Sequence, residues 1–427
     1  MRTHNSERVS DWLGGCAAST LAQQYGTPLL VIDEQCLRSQ MRAATAAFER
    51  TGWTACVTYA GKALLVAAIA RIAHEEGLAV DVCSLGELHT ALRAGVPASE
   101  CIVHGCYKTA EELDAAVASR VRHVVVDHAS EIGELGRRAR AAGTVCDVLV
   151  RVNPGIAAPT HGFVQTGAPA SKFGFPIADG QAMDAVRRAQ SEQGLALSGI
   201  HCHLGSQIDD LTAYVRAIDA LADFAERVHA QDGIILRVFD VGGGLAVGRS
   251  NDAYEPSLAA WADAVFGAFD RRFTHAQFPR PQIYVEPGRA IVGPAGTTLY
   301  RIGVRKQLSD GGIALIVDGG MSDNPRPALY QARYSVAIAD RLNQPPDGTY
   351  SIFGRHCETD RLFPEVELPN PQPGDLLAVR DSGAYTYSMA SNYNRFARPA
   401  VVLAAGGRAR LIALREPLDH VLDLDVP

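Results

Sequence analysis

The chain has 427 residues, of which 47% are hydrophobic and 20% are charged, and its formal net charge is -7. This length exceeds one ordinary domain, and this composition is that of a globular protein with a sizeable core. The negative charge and the lack of a basic tract argue against nucleic acid or an anionic membrane as the main partner, so we expect a small-molecule ligand.

No membrane span or secretion signal is expected from the sequence. The polar N-terminus, residues 1–10, leads into no apolar stretch, and the chain has no apolar run of about eighteen residues. The nine cysteines show no CxxC spacing and give neither a zinc nor a disulfide pattern, which suits a reducing compartment. We therefore expect a cytoplasmic protein.

In chain order, a capped segment at residues 10–25 and a strand at residues 28–32 precede a regular alternation of strands and helices. The alternation consists of β-branched runs, each leading into an amphipathic, alanine-rich stretch. Eight strands are predicted, at residues 55–59, 79–83, 101–104, 122–127, 146–152, 197–203, 236–241 and 282–286. This pattern over roughly 240 residues is typical of a parallel (β/α)8 TIM barrel. An open doubly wound sheet also fits the alternation, but no GxGxxG motif follows the first strand.

A different pattern begins after Pro294, where alternating strands with Gly/Pro turns replace the helices. These runs predict a mainly antiparallel C-terminal β domain, with strands at residues 300–307, 313–317, 376–380, 401–403 and 409–414. Three parts are expected: an N-terminal segment (1–35) packing with the β domain, the barrel (36–293) and the β domain (294–427). The link at residues 153–177, rich in Gly, Pro, Thr and Ser, is predicted to be a functional loop or lid.

Lys62 stands where the first barrel strand gives way to a helix, within residues 59–63. Lysine is rare in this chain, since only four of the 40 basic residues are lysines: Lys62, Lys108, Lys172 and Lys306. An amine can condense with a carbonyl group, which a guanidinium cannot do at neutral pH. Because barrel active sites lie at the carboxyl ends of the strands, Lys62 is a candidate catalytic residue.

Polar or glycine-rich groups also follow the sixth, seventh and eighth predicted strands, at residues 201–207, 240–244 and 286–289. The glycine triplet at residues 242–244 is either a flexible turn or a cradle in which backbone N–H groups approach a phosphate. His201 and His203 alternate on one side of a strand and so admit a metal pair, but no third ligand stands at ligand spacing nearby. We therefore expect no metal site.

A flat cofactor suits these strand ends better than a metal. His203 is predicted to cover an aromatic ring, and His201 to be a satisfied core histidine. Glu286, between Val285 and Pro287, is either a surface carboxylate or the partner of a buried cation such as a pyridinium nitrogen. An amine, a phosphate cradle, a ring cover and a pyridinium partner are together what pyridoxal 5'-phosphate requires, so we predict that cofactor.

The chain carries a set of motifs at residues 59–63, 201–207, 242–244, 286–289, 318–330, 357–358 and 383–385. In content and order they closely resemble diaminopimelate decarboxylase, a family of alanine-racemase-like, fold-type III pyridoxal phosphate enzymes. The segments at residues 166–167 and 171–174 also resemble the family's loop after strand five. The resemblance extends from about Leu21 to Arg415.

The resemblance implies a role for each matching residue. Lys62 resembles the lysine that binds pyridoxal phosphate covalently, and His203 resembles the histidine stacked on its ring. The other implied cofactor contacts are Ser206, Gly242, Gly243, Gly244, Gly288 and Tyr385, with Glu286 at the pyridine nitrogen. The implied substrate contacts are Arg289, Arg326, Tyr330, Glu358 and Tyr385. A planar, two-pronged guanidinium suits a carboxylate, and Arg289 resembles the residue aimed at the distal one.

Cys357 and Glu358 resemble residues that enter the site from a partner subunit, so the family implies a homodimer with shared active sites. The implied reaction converts meso-2,6-diaminopimelate to L-lysine and carbon dioxide, the last step of lysine biosynthesis. After decarboxylation a proton must return to the α-carbon, and either Cys357 or Lys62 is a candidate to supply or relay it.

Two segments depart from the family pattern. Cys357-Glu358-Thr359-Asp360 replaces Cys-Glu-Ser-Gly-Asp, and residues 104–108, His-Gly-Cys-Tyr-Lys, replace His-Gly-Asn-Asn-Lys. Both lie near where the family reads its substrate. The alternatives are therefore a decarboxylase of the same fold for another amino acid or a carboxylated conjugate in a specialised pathway, or a pyridoxal phosphate-binding protein without turnover. The retained arginines argue against simple diamines such as ornithine.

Overall fold

The structure, a computed structural model, describes residues 9–156, 167, 171–247, 255–273 and 279–426. The chain forms two units. The barrel unit lies within Met41–Ala246 and Glu255–Ala290, and the β unit contains Ile291–Pro427 together with the residues that precede Met41. Of the predicted loop at residues 153–177, residues 157–166 and 168–170 lie outside the described residues.

The N-terminal elements add a strand to the sheet of the β unit. They are a 3-10 turn (Val9–Trp12), helix α1 (Ala18–Tyr25), strand β1 (Leu29–Asp33) and helix α2 (Glu34–Ala47). Every residue of β1 is buried. Leu29 pairs with Leu299 on one side and with Ala400 on the other, so β1 is an interior strand of that sheet.

The barrel unit contains nine described strands. They are β2 (Ala55–Ala60), β3 (Ala79–Val82), β4 (Cys101–Val103), β5 (His123–Val126), β6 (Cys146–Asn153), β7 (Phe175–Pro176), β8 (Leu195–His201), β9 (Val238–Asp240) and β10 (Gln282–Val285). The pairing runs β2-β3-β4-β5-β6-β8-β9-β10 and returns from β10 to β2, always in parallel. The predicted (β/α)8 barrel is confirmed, and the two-residue β7 is an addition that pairs with β6.

Helices follow the barrel strands: α3 (Ala67–Glu75), α4 (Leu85–Arg93), α5 (Ala110–Ser119), α6 (Ala129–Ala141), α7 (Gln181–Ser191), α8 (Thr212–Asp232), α9 (Leu258–Phe273) and α10 (Arg289–Ala295). Side-chain caps stand at the starts of α4, α5 and α6, and in α5 Thr109 and Glu112 form a capping box. The same helix buries Leu113, Ala116 and Val117, which lie on one face at helical spacing. No helix in the described parts of the chain is long and apolar enough to cross a membrane.

The β unit is a mixed sheet. Its remaining elements are β11 (Gly296–Gln307), β12 (Ile313–Val317), α11 (Arg326–Tyr330), β13 (Val336–Ile338), β14 (Gly348–Phe353), β15 (Arg361–Leu368), β16 (Leu376–Val379), β17 (Ala400–Ala405), β18 (Arg408–Ala413) and α12 (Leu418–Leu422). Among the described strands of this unit only β1 with β17 and β12 with β14 pair in parallel, so the predicted antiparallel character largely holds. Strands β13, β14 and β15 were not predicted. Pro364 and the positive φ of Glu365 interrupt the pattern of β15.

Each unit has its own core. In the barrel unit, Ile102, Val125, Leu149, Val238 and Tyr284 come from five strands and form one buried cluster, as the inside of a closed barrel requires. In the β unit one cluster joins the N-terminal segment to β11 and β17, and a second lies between β12, β14, β15 and β16. The strands are therefore fixed by burial, and their ends are free to carry polar groups.

Candidate active site

Lys62 lies in a 3-10 turn, Gly61–Ala63, that directly follows β2. Its Nζ is 3.1 Å from Oδ2 of Asp81, a fully buried carboxylate on the adjacent strand β3, while 33% of the lysine side chain is exposed. Gly61 permits this close approach, because a Cβ there would lie 2.6 Å from the backbone oxygen of Asp81. The amine therefore has a buried counter-charge and remains accessible to a reactant.

Glu286 follows β10 and is buried. Its Oε1 lies 3.0 Å from Nε2 of His104 and 3.5 Å from Nε2 of His201, yet no described residue offers it an aligned hydrogen bond. Burial alone would raise the pKa of the Glu286 carboxyl, but His104 and then His201 outweigh burial and hold that pKa well below its usual value. Burial lowers the pKa of His201 to about 3, so its ring is neutral at pH 7 and we attribute the stabilisation mainly to His104. Glu286 is thus a buried carboxylate with an oxygen open to a further donor.

Asp240, at the end of β9, is a second buried carboxyl next to Glu286. Its Oδ1 accepts a hydrogen bond from the backbone N–H of Gly242 at 2.9 Å. Burial, followed by the charge of Glu286, raises the pKa of Asp240 well above its usual value. Two neighbouring buried carboxyls strongly disfavour double ionisation, so Asp240 carries the proton and Glu286 the charge.

Two possible metal ligands that are remote from His201 in sequence lie close to it in space. One nitrogen or oxygen from each of His104, His201 and Glu286 lies within 4.8 Å of the others, a grouping sufficient in number to hold a metal ion. The expectation that no third ligand stands near His201 was therefore wrong in space, because strand pairing brings in residues that are remote in sequence. We assign the group to stabilising the charge of Glu286, whose ionised state it explains.

The glycines at residues 242–244 are packed too closely for any side chain. A Cβ added to Gly242 would lie 2.7 Å from Nδ1 of His203. A Cβ on Gly243 would lie 2.0 Å from the backbone oxygen of Glu286, and one on Gly244 would lie 2.1 Å from the backbone oxygen of Gly205. The backbone N–H of Gly243 donates to Nδ1 of His203 at 3.2 Å, so this nitrogen carries no proton. Burial and then the charge of Lys62 hold the pKa of His203 well below its usual value. His203 is therefore a neutral ring on the glycine cradle.

Ser206 and Arg289 meet at the same end of the barrel. Oγ of Ser206 accepts hydrogen bonds from Nε and Nη2 of Arg289 at 3.3 and 3.1 Å. Gly288 precedes this arginine, and a Cβ there would lie 2.9 Å from Cβ of Ala60, just before the Lys62 turn. Gln207, next to Ser206, has a positive φ of 63°, a strained conformation that often marks functional loops. This geometry puts the Arg289 guanidinium at the predicted phosphate contact Ser206.

Three predicted substrate or cofactor residues come together inside the β unit. Arg326, the first residue of α11, is only 5% exposed. Its guanidinium carbon lies 4.9 Å from the ring centre of Tyr330 and 5.4 Å from that of Tyr385, which are cation–π distances. Tyr385 has a positive φ of 60°. A buried guanidinium framed by two rings is a site for an anionic group.

Cys357 and Glu358 are exposed residues of the loop between β14 and β15 in the same unit. Oε1 of Glu358 accepts a hydrogen bond from the hydroxyl of Tyr393 at 2.6 Å. The backbone N–H of Cys357 donates to Oδ1 of Asn394 at 3.2 Å. The shortened family motif thus forms an ordered tip, and both predicted functional side chains lie on it.

The second atypical segment, residues 104–108, divides into two parts. His104 contacts Glu286, as described above. Lys108 is buried, and its Nζ donates to Oε1 of Glu131 at 2.6 Å, to Gly105 O at 2.9 Å and to Val125 O at 2.7 Å. All three ammonium protons are therefore used, and Lys108 is a structural clamp, whereas its neighbour Tyr107 is 73% exposed.

Sequence reasoning missed Asp81, His104 and Asp240 as individual members of the site. Each carries a signal that was available: a charged or titratable residue within or next to a run of buried aliphatic residues needs a partner. The described part of the predicted loop also contains a contact, since the guanidinium carbon of Arg151 lies 4.4 Å from the ring centre of Phe173. Thr166 lies outside the described residues, and of its segment only Gly167 is described.

The chain is similar to known proteins both in sequence and in fold. Residues 34–293 match the family model of the pyridoxal binding domain of pyridoxal-dependent decarboxylases. The chain is 40% identical to diaminopimelate decarboxylase of Bacillus subtilis (strain 168), covering 97% of this chain and 95% of that protein. It is 42% identical to the Mycobacterium tuberculosis (strain ATCC 25618 / H37Rv) enzyme of the same name, with 97% and 94% covered.

Solved structures give the same assignment. That of diaminopimelate decarboxylase from M. jannaschii superposes with a TM-score of 0.90 at 31% identity, covering 97% of this chain and 95% of that one. The Helicobacter pylori diaminopimelate decarboxylase complexed with L-lysine gives a TM-score of 0.86 at 29% identity, covering 95% and 98%. The chain is thus a pyridoxal-dependent decarboxylase with the alanine-racemase-like fold. Within this class it belongs to the diaminopimelate decarboxylase family.

The residues at the barrel end fit the cofactor of this class, pyridoxal 5'-phosphate. Glu286 Oε1 is a buried acceptor without an aligned donor among the described residues, as a protonated pyridine nitrogen requires. The glycine cradle has no room for side chains, so its backbone can approach a phosphate closely. Lys62 supplies the accessible amine.

Proposed function

We propose that this protein removes carbon dioxide from meso-2,6-diaminopimelate and releases L-lysine. The observation that carries the proposal is that a partly exposed amine, Lys62, and a buried carboxylate, Glu286, both stand at the carboxyl end of the barrel. They follow β2 and β10, two strands that pair directly in the barrel. The family assignment supplies the substrate.

When bound, pyridoxal phosphate supplies an aldehyde that takes up amines and a ring that accepts the electron pair left by the departing carbon dioxide. Lys62 Nζ would hold the aldehyde carbon, with Asp81 balancing its charge. Glu286 would keep the ring nitrogen protonated, because its own carboxyl stays ionised beside His104. His203, Ser206 and the glycine cradle would hold the ring face and the phosphate.

Recognition of the substrate rests on the arginines. Arg326 is buried with its guanidinium over Tyr330 and Tyr385, and burial strengthens its attraction for a carboxylate. Arg289 is proposed to bind the distal carboxylate of the substrate while it contacts Ser206. Both groups disfavour diamines, which offer no distal carboxylate.

The proton that returns to the α-carbon comes from Cys357 or Lys62. We infer that Cys357 and Glu358 serve the site of a second copy of the chain, as the resemblance to the family implies, and their exposure on an ordered loop supports this. Mixing inactive Lys62→Ala and Cys357→Ala subunits tests it. Restored activity supports shared sites, whereas no recovery in subunits shown to exchange contradicts them. A cytoplasmic location suits the nine unpaired cysteines.

The deciding experiment is carbon dioxide release by the purified, cofactor-loaded protein from meso-diaminopimelate, with L-lysine, L-ornithine and L-arginine run alongside. We expect preferential release from diaminopimelate with L-lysine as product. Release from another amino acid only would transfer the assignment to a related decarboxylase, and the altered Cys357–Asp360 loop would be the first place to look. Cofactor binding without release from any substrate would indicate a non-catalytic protein.

A further inference from the structure

The exposed tip that carries Cys357 and Glu358 is anchored by a buried histidine–aspartate pair. His356 and Asp360 directly flank the three exposed residues, and they are 7% and 5% exposed. Nδ1 of His356 lies 2.6 Å from Oδ2 of Asp360, so the imidazole N–H donates a hydrogen bond to the carboxylate. The two ends of the tip are thus fastened to each other below the surface.

The same carboxylate also holds a second functional loop. Both oxygens of Asp360 accept the backbone N–H of Met321, at 3.0 and 3.1 Å. Met321 belongs to the turn that leads into α11 and Arg326. A backbone hydrogen bond from Arg355 N–H to Gly319 O, at 3.1 Å, joins the same two loops beside the His356–Asp360 pair.

Two glycines make room for the pair. A Cβ at Gly320 would lie 2.2 Å from Oδ2 of Asp360 and 2.3 Å from Nδ1 of His356. A Cβ at Gly354 would lie 2.0 Å from the same carboxylate oxygen. The position of the hydrogen bond is therefore fixed by backbone on two sides, which leaves it little freedom to shift.

The imidazole ring extends the anchor to Glu358. It stacks on Tyr393, with ring centres 5.8 Å apart and planes 6° apart, and it meets the ring of Phe396 edge-on at 4.8 Å. The hydroxyl of Tyr393 in turn donates to Glu358. His356 therefore contacts the tip in two ways: directly, through its hydrogen bond to Asp360, and indirectly, through the ring of Tyr393, whose hydroxyl donates to Glu358.

We propose that His356 and Asp360 are positioning residues that set Cys357 and Glu358 for the reaction and align them with the loop leading to Arg326. The role in turnover rests on the proposed decarboxylase function, but the positioning of the Cys357 thiol does not. Cys357 is the one exposed cysteine of the nine in the single chain, so its alkylation by iodoacetamide, compared between variants in the same assembly state, reports on the tip without any catalysis.

The test compares His356→Phe, which keeps a ring against Tyr393 but lacks the donor, with His356→Asn, which places an amide N–H where Nδ1 stands. Tyr350→Phe is the matched control, since it removes one hydrogen bond, to Asp347 at 3.0 Å, elsewhere in the β unit. We expect His356→Phe to lower kcat about tenfold, with KM and bound cofactor little changed, and to alter the alkylation rate of Cys357 at least about threefold. His356→Asn should recover most of both, and Tyr350→Phe should change neither.

Equal effects of His356→Phe and Tyr350→Phe, or no recovery in His356→Asn, would overturn the proposal. If the wild-type protein releases no carbon dioxide from diaminopimelate, the proposed function fails, and the alkylation rates alone then decide whether the pair positions the tip. An unchanged rate in His356→Phe contradicts the positioning role in either case. Cys357→Ala, which lacks the exposed thiol, identifies the labelled residue.

Discussion

The barrel unit and the β unit hold their functional residues in different ways. At the barrel end, Lys62, Glu286 and the glycine cradle directly follow strands, and their surroundings are backbone atoms and buried charges. In the β unit, Cys357 and Glu358 lie on an exposed loop that a hydrogen-bond network fastens to the core. The first arrangement is set by the fold itself, and the second is set by a few side chains.

This difference separates chemistry from specificity. A change at Lys62, Glu286 or the glycine cradle should damage cofactor binding or the reaction for any substrate, because every amine would meet the same Lys62 and Glu286. Arg289 is the exception at the barrel end, since it is proposed to bind the substrate. A change in the β-unit loops should alter the rate or the choice of substrate while the cofactor stays bound. Loops on a rigid scaffold are where related proteins vary, and one of the two departures from the family pattern, residues 357–360, lies in such a loop.

The largest effect is expected for Lys62→Ala. It removes the partly exposed amine that directly follows β2, which is proposed to bind the aldehyde covalently, so kcat should fall at least on the order of a thousandfold and the visible absorbance of the bound cofactor should be lost. An absorbance spectrum and a carbon dioxide assay measure the two effects. Retained colour together with unchanged turnover would remove Lys62 from the mechanism.

Gly243→Ala should come next, because it tests whether the barrel end tolerates any added atom. The new Cβ would lie 2.0 Å from the backbone oxygen of Glu286, so the cradle must shift, and we expect cofactor affinity to fall on the order of a hundredfold. Gly86→Ala is the matched control, since a Cβ in that helix meets nothing closer than Ser84 Oγ at 3.8 Å. Cofactor titration that gives equal affinities for both variants would show that the cradle is not rigid.

Arg289→Lys decides to which function this residue belongs. The resemblance to the family directs its guanidinium to the distal carboxylate of the substrate, whereas its contacts with Ser206 place it at the predicted phosphate end. Loss of the two-pronged contact should raise the KM for diaminopimelate about tenfold to a hundredfold with cofactor still bound. If cofactor affinity falls while KM holds, Arg289 serves the phosphate instead.

The sequence predicted the barrel more completely than the β unit, for a physical reason. Strand–helix alternation repeats through the barrel, whereas β15 contains Pro364 and a residue with positive φ, so its pattern resembles a turn. Motif residues such as Lys62 were identified because they stand at strand ends. The individual roles of Asp81, His104 and Asp240 were not identified, although His104 and Asp240 begin segments that the sequence analysis singled out. These roles arise from strand pairings that bring distant residues together.

Two buried groups, one in each unit, should respond to pH in opposite directions. In the barrel unit, burial, then Arg122 and His104, lowers the pKa of His123 to about 4. Unfolding exposes this ring and lets it take up a proton below its ordinary pKa, so its contribution to stability is lost as the pH falls from about 6.5 to about 4. In the β unit, burial raises the pKa of Asp323 to about 7. The folded state then binds the extra proton, and stability falls as the pH rises from about 4 to about 7.

Asp323→Asn removes the second effect alone. Asparagine keeps the shape, its oxygen still accepts the Gly320 N–H at 2.7 Å, and its amide can donate to the hydroxyl of Tyr300, which now donates to the carboxylate. Relative to wild type, the variant should gain up to about 4 kcal/mol in free energy of unfolding between pH 4 and pH 8, with little change in turnover. Denaturant unfolding at a series of pH values measures the gap. A gap that does not widen as the pH rises would mean that Asp323 is ionised in the fold.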